Sequence, residues 1–383
     1  MRIAYVARFD SGRENGVSKK IADQIRIWEK EGHDVAIFAT EGIDGEILFR
    51  KSLRRISKKR QIAENKCSLV LDQIQDFRPN IVYYRFEPLT RLYIELSKRF
   101  KIVLEVNSAD DSEYRALAVK SFKKWICLSI SPWRMKKAAN ELGRYFSNHR
   151  ERKIIFDRAD GIVFPTIELS RRKNNKTNKP IIIIPNGIDI ERIKKIERSN
   201  EERLHLFFMG NPKASLWHGT ELMQQLAKAL GKQFFIDIVG SSGNVSEGIM
   251  YHGYNDSANY CGLVKKSAVA ISTLSLYKNN MFEACPLKTR EYLAMGLPVI
   301  VGYKDTAWGN NPPDFVFRVP NNASWIHDKK TIDELKKFII ANKNRVVKTG
   351  EIKDLIGSEM IELRRLRFIE SISDTSKGKQ DVR

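Results

Sequence analysis

Four cysteines are all that this 383-residue chain contains (Cys67, Cys127, Cys261 and Cys285), and no two of them stand in a Cys-x-x-Cys spacing. That scatter argues against a disulfide framework or a thiolate zinc site, and it suits a reducing cytoplasm. Cys285 has no histidine nearby in sequence and reads as a packing residue. Long apolar runs are also lacking, since none approaches the roughly 20 residues that a bilayer-spanning helix needs. The opening stretch MRIAYVARFD reads as a strand rather than a signal peptide, so neither an export signal nor a transmembrane helix is expected. Zinc-finger spacing and a helix-turn-helix signal are absent, which weakens a nucleic-acid reading. No Asp-x-Asp pair stands at a strand end where it would hold a metal.

Acidic residues are in deficit. The chain carries 67 Lys and Arg against 46 Asp and Glu, a formal net charge of +21. The excess is lopsided, with 42 basic and 26 acidic residues in positions 1–200, leaving 25 and 20 in positions 201–383. A basic first half favours an anionic partner, whether nucleic acid, acidic lipid or an acidic acceptor.

Length predicts two domains. Strand patterns at Arg2–Arg8, Val35–Phe38, Ile81–Tyr84, Ile102–Val106, Gly161–Phe164 and Ile181–Ile184 alternate with helical ones, the first from about Val17 to Glu31. Pro185-Asn186-Gly187 breaks this series, with Asn-Gly expected to turn the chain through positive φ. A polar connector covers 188–203, and the alternation restarts at Leu206–Met209. Helix Thr220–Leu230, strands Phe234–Val239 and Gly248–Tyr251, helix Asn259–Lys266 and strand Ala268–Ser272 follow. Such β-branched strands imply doubly wound parallel sheets covered on both faces. The bounds expected are 1–187, linker 188–203, 204–358, and a final helix and tail at 359–383 that frays after Ser371.

The most informative stretch is EACPLKTREYLAMGLPVI, Glu283 to Ile300. A helix over Lys288–Met295 would carry Glu291 in its early part, with Glu283 in the loop before it. Unpaired N–H groups and the dipole at that helix start attract phosphate, while the carboxylates accept from hydroxyls. A ligand with hydroxyls at both ends and phosphates between them is a nucleotide sugar. The segment resembles the E-x7-E signature of retaining glycosyltransferases of the GT-B fold, family 4 type. Pro286, Leu287, Lys288, Glu291, Tyr292, Gly296 and Pro298 match its Pro-Leu-Lys-x-x-Glu-Tyr-x-x-x-Gly-x-Pro variant.

The resemblance runs from the N-terminus to about Glu370. It implies an α/β chain of two Rossmann-like domains facing each other across a cleft, with a C-terminal helix crossing back to the first domain. It further implies that Glu283 holds the sugar hydroxyls and Glu291 the ribose hydroxyls, with backbone N–H groups of Leu287 and Lys288, and the Lys288 ammonium, at the phosphates. Gly16 opens the first helix where the family has a glycine-rich loop, and Gly240 lies where the family has the loop below the base. In FMGNPKASLWHGTELM (Phe208–Met223) the family's phosphate-binding Arg and Lys are missing. Lys213 and His218 are their candidate replacements, and His218 reads equally as a helix cap. Asn107 stands where the family often has His; it can bond a sugar hydroxyl but cannot shuttle a proton. Asp110 and Asp111 follow as acceptor aids or helix caps.

The implied activity is transfer of a hexosyl group, with retention, to a lipid-linked or saccharide acceptor in polysaccharide or glycolipid assembly, without a metal or other cofactor. A sugar-nucleotide epimerase of the same fold, a degenerate partner subunit and a nucleic-acid-binding protein are the alternatives. KSFKKWICLSISPWRMKK (Lys120–Lys137) sets six basic residues around an apolar centre bounded by Trp125 and Trp133. It reads either as a site for the anionic inner membrane face or as a core-packed helix with a solvated basic side. Lys51–Arg60 is a second basic run. A cytoplasmic location follows, peripheral to the membrane in the first case.

Overall fold

The computed structural model describes residues 1–8, 16–40, 58–109, 112, 115, 119, 121, 132–199, 204–210, 216–243, 246–253 and 257–375. It divides into two compact units, one of residues 1–184 with 359–383 and one of residues 185–358.

The first unit is built on strands β1 (Arg2–Ala7), β2 (Asp34–Ala39), β3 (Ile81–Arg85), β4 (Ile102–Glu105), β5 (Gly161–Phe164) and β6 (Ile181–Ile183). They form one sheet in the order β2-β1-β3-β4-β5-β6, with every neighbouring pair parallel. Strands β3 to β5 are almost wholly buried and uncharged except for their terminal Arg85 and Glu105, as a sheet covered on both faces requires. Helices Gly16–Lys30, Lys58–Phe77, Arg91–Arg99 and Pro132–Arg158 supply cover. Thr90 starts the third by accepting from Tyr93 N at 3.1 Å.

The C-terminal helix Ser358–Asp374 returns to this unit. Ile361, Leu366, Ile369 and Ile372 join the core of Ile3, Tyr5 and Trp28. Gly161 lets that helix come close, because a Cβ there would lie 2.8 Å from Ile372. The helix therefore continues past Ser371 rather than fraying there, and Lys101 Nζ donates to the carbonyls of Ile372 and Ser373.

Beneath the helix lies a buried charge network. Glu105 meets Lys20 at 2.7 Å, Arg365 at 3.1 Å and Arg85 at 3.3 Å. Glu362 accepts from Gln24, Trp28 and Arg365. Burial alone would raise the Glu105 pKa, but Lys20, Arg365 and Arg85 together hold it well below the usual carboxylate range. Glu87, just past β3, is also buried; burial pushes its pKa up to about 7 against the hydroxyl donors Tyr84 and Thr40.

The second unit repeats the plan with β7 (Leu204–Met209), β8 (Phe234–Val239), β9 (Ile249–Tyr251), β10 (Ser267–Ile271), β11 (Glu283–Ala284), β12 (Val299–Val301), β13 (Lys304–Asp305) and β14 (Val316–Arg318). The main sheet runs β14-β12-β10-β7-β8-β9, and β11 pairs with β13 in a separate two-stranded ribbon. Its core gathers Leu206, Phe208, Leu226, Ile236, Val269 and Ile300 beneath helices Thr220–Leu230 and Lys329–Ala341.

The segment 185–199 is held within this unit. Ile188 N donates to Ile356 O, and Arg198 donates to the carbonyls of Val264 and Gly296. The expectation of positive φ at Asn186-Gly187 is corrected, since neither residue has it. Asn186 turns the chain by bonding instead: its N–H donates to Cys285 Sγ at 2.9 Å and its Nδ2 to Cys285 O at 2.6 Å.

Candidate functional site

In a doubly wound sheet, ligands bind beyond the carboxyl ends of the strands where the winding reverses. In the second unit that point lies between β7 and β10, neighbours in the sheet whose chains run on to opposite sides. The helix Leu287–Ala294 starts at this edge. It is anchored there by Tyr292, whose hydroxyl accepts from Met209 N at 2.7 Å.

Around Gly210, the residue after β7, several sequence-predicted groups converge. A side chain on Gly210 would come within 3.4 Å of His218 Cε1 and 3.7 Å of Lys288 Nζ. Gly240, with φ +94°, brings the end of β8 against the Gly210 backbone, where a Cβ would lie 3.0 Å from the Gly210 carbonyl carbon. Lys288 Nζ sits 4.5 Å from the centre of the Phe208 ring and is itself buried, without a hydrogen-bond partner among the described residues. Burial lowers its pKa to about 7. The His218 ring meets Phe208 edge-on at 5.7 Å. The capping reading of His218 is corrected: Gly219, at φ +79°, is the N-cap of Thr220–Leu230. Lys213 lies outside the described residues, as do Asp110 and Asp111.

The two signature glutamates have separate partners. Glu283 stands in β11 rather than in a loop, 3.1 Å from Lys304 Nζ across the ribbon. Glu291 is the fifth residue of its helix, a full turn in rather than near the start, and accepts from Tyr260 Oη at 3.3 Å. Leu287 and Lys288 open that helix after Pro286, which offers no side-chain cap, so the first N–H groups have no acceptor within the helix itself.

Gly16 and Asn107 belong to the first unit. Gly16 begins the Gly16–Lys30 helix. Asn107 follows β4, and its Oδ1 accepts from Lys20 Nζ at 3.1 Å. Lys20 is thereby shared between Asn107 and Glu105. In the Lys120–Lys137 segment, the apolar centre lies outside the described residues.

One group that sequence reasoning passed over is Arg290. Its guanidinium is fully buried and pairs with both carboxylate oxygens of Asp305, one at 2.6 Å. It also donates to Cys285 Sγ at 2.9 Å and to Asn186 O at 3.0 Å. Burial opposes the charge, but Asp305 and the Cys285 sulfur outweigh it and raise the Arg290 pKa. The only signal was a cation inside a strongly apolar helix–strand pattern, and its partner lies in a strand too short to read.

No protein-family model matches the chain, and no curated protein matches it by sequence. Solved structures do match. Sucrose-phosphate synthase from Thermosynechococcus elongatus aligns over 98% of this chain and 100% of its own, at 14% identity and TM-score 0.62. A glycosyltransferase from Rickettsia africae aligns over 98% and 99%, at 15% identity and TM-score 0.57. HepE from Anabaena, solved with UDP and glucose, aligns over 97% and 100%, at 12% identity and TM-score 0.54. Likeness at this level of identity is likeness of fold, and the two parallel-sheet α/β units are those of the GT-B glycosyltransferases.

Proposed function

We propose that the chain is a glycosyltransferase that moves a hexosyl group from a nucleotide sugar to a hydroxyl acceptor with retention of configuration. The observation that carries this reading is the end of β7, where the buried Lys288 amine, from the first turn of helix Leu287–Ala294, stands beside Gly210 and the Phe208 ring. Glu283 holds hydroxyls of the sugar and Glu291 those of the ribose, while Leu287 and Lys288 receive the diphosphate. Gly240 lies below the base, and His218 and Lys213 stand in for the phosphate cations that the signature's family carries. HepE, of the same fold, was solved with UDP and glucose, which is the donor chemistry assigned here.

In the reaction, the acceptor oxygen bonds to the anomeric carbon on the face that the diphosphate leaves. The bond to the diphosphate breaks with its electron pair, and a diphosphate oxygen takes the acceptor's proton. Such a step needs stabilisation of departing charge rather than a protein nucleophile. Gly16 is assigned to the phosphates and acceptor, and Asn107 to a sugar hydroxyl. Side-chain and backbone donors supply the neutralisation, so no divalent cation is required, and turnover is expected to survive chelation. A thermal-shift screen of UDP-, GDP-, ADP- and dTDP-sugars is expected to find at least one stabilising donor, and a flat response to all four would remove the proposal.

The acceptor assigned is a lipid-linked saccharide in cell-surface assembly, with the protein cytoplasmic and docked on an anionic inner membrane face. No helix among the described residues is long and apolar enough to cross a membrane. The support lies in helix Pro132–Arg158, where Met135, Leu142 and Phe146 are exposed on one face among the basic residues Lys136, Arg150 and Lys153. Exposed apolar groups beside cations suit an acidic lipid surface, at about 1 kcal/mol per cation. The chain is expected to sediment with anionic vesicles at low salt. Equal partitioning onto neutral vesicles would rule this docking out.

A further inference from the structure

We propose that donor binding at this site, on the reading above, is coupled to the uptake of one proton by Lys288, whose ammonium then serves as a cation for the diphosphate beside His218 and Lys213. The argument begins with an amine in an unusual place. Lys288 Nζ is buried, makes no hydrogen bond among the described residues, and faces the Phe208 ring and the backbone of Gly210 at the end of β7. An unpaired buried ammonium is costly, and such a group neutralises instead.

Among the described residues, the charged groups of the same segment have their own partners. Glu283 faces Lys304, Glu291 accepts from Tyr260, and Arg290 is locked to Asp305. Among the described residues, His218 is a titratable group that shares the end of β7 with it. Burial is the cause that lowers the Lys288 pKa to about 7, with no charged neighbour contributing.

An anion placed against Nζ changes this balance. Two phosphate groups supply both the missing acceptors and the missing counter-charge, so the amine takes a proton as the ligand arrives. The sign follows from the pKa. Above pH 7 the free amine is mostly neutral, binding raises its pKa, and affinity falls as pH rises toward the bound value. Below pH 7 the ammonium is already formed, and the linked proton disappears.

The test is calorimetric titration of the full chain with UDP-glucose, whose diphosphate diester has no ionisation near neutrality. If the screen above selects another nucleotide sugar, that donor replaces it. Titrations run in buffers of differing ionisation enthalpy, at pH 6 and pH 8. About one proton is expected to be taken up per donor at pH 8 and little at pH 6. Lys288→Arg keeps a permanent charge, and is expected to bind with no proton uptake. Lys288→Met is expected to lose at least tenfold in affinity together with the buffer dependence. His218→Gln is expected to retain the uptake. Donor binding with no proton exchange at pH 8, or with uptake unchanged in Lys288→Arg, would overturn this inference and leave the glycosyltransferase reading standing. Failure of every nucleotide sugar to bind would remove both.

Discussion

Glu283→Ala is expected to lower kcat by about two to three orders of magnitude, with a smaller change in KM, because its carboxylate is assigned to the sugar where charge develops. Glu291→Ala is expected to act on binding. Loss of a charge-assisted hydrogen bond costs about 1.5–3 kcal/mol, which is roughly 10- to 150-fold in Kd. In the structure, Glu283 sits in the β11–β13 ribbon facing Lys304, whereas Glu291 lies a turn into its helix against Tyr260. Steady-state kinetics and direct donor titration on the same two variants separate the roles. If both variants keep wild-type kcat/KM, the site assigned here is wrong.

Arg290→Met carries the largest expected effect on stability. Arg290 and Asp305 are both fully buried, so removing the guanidinium strands a carboxylate in the interior. Breaking such a pair from one side costs about 3–5 kcal/mol. In a unit of this size each kcal/mol lowers Tm by about 2–4 °C. Replacing both partners, as in Arg290→Met with Asp305→Leu, is expected to recover much of the loss, because no orphaned charge remains.

Activity is expected to fall with Arg290→Met even where the fold survives. Asp305 lies in β13, β13 pairs with β11, and β11 carries Glu283. The same guanidinium grips Asn186 and Cys285. Denaturant melts of the single and double variants decide the matter: a single-variant loss below about 1 kcal/mol would mean that the pair contributes little.

Much of the architecture was legible in the chain. Strand patterns such as Gly161–Phe164 and Phe234–Val239, and the helix Thr220–Leu230, emerge at the bounds read from pattern, because local apolar periodicity and β-branching act within a few residues. The short ribbon of β11 and β13 was not legible. Two-residue strands have no periodicity, so Glu283 reads as loop until its partner strand is seen.

The same division holds at the candidate site. The resemblance of Glu283–Ile300 to the E-x7-E signature marks Glu283, Lys288 and Glu291 as candidates, because a signature is a pattern of residue types along the chain and needs no tertiary knowledge. It cannot show that Lys288 ends in a buried amine against Phe208, because burial depends on a strand some 80 residues away. Nor could it join Glu105 to Arg365, which are 260 residues apart. Hydrophobic pattern and turn chemistry are local, and they settle the kind of fold. Charge pairing and desolvation arise when distant segments are packed together, and for that reason the burial of the Lys288 amine and the bracing of Glu283 had to be found in the folded chain.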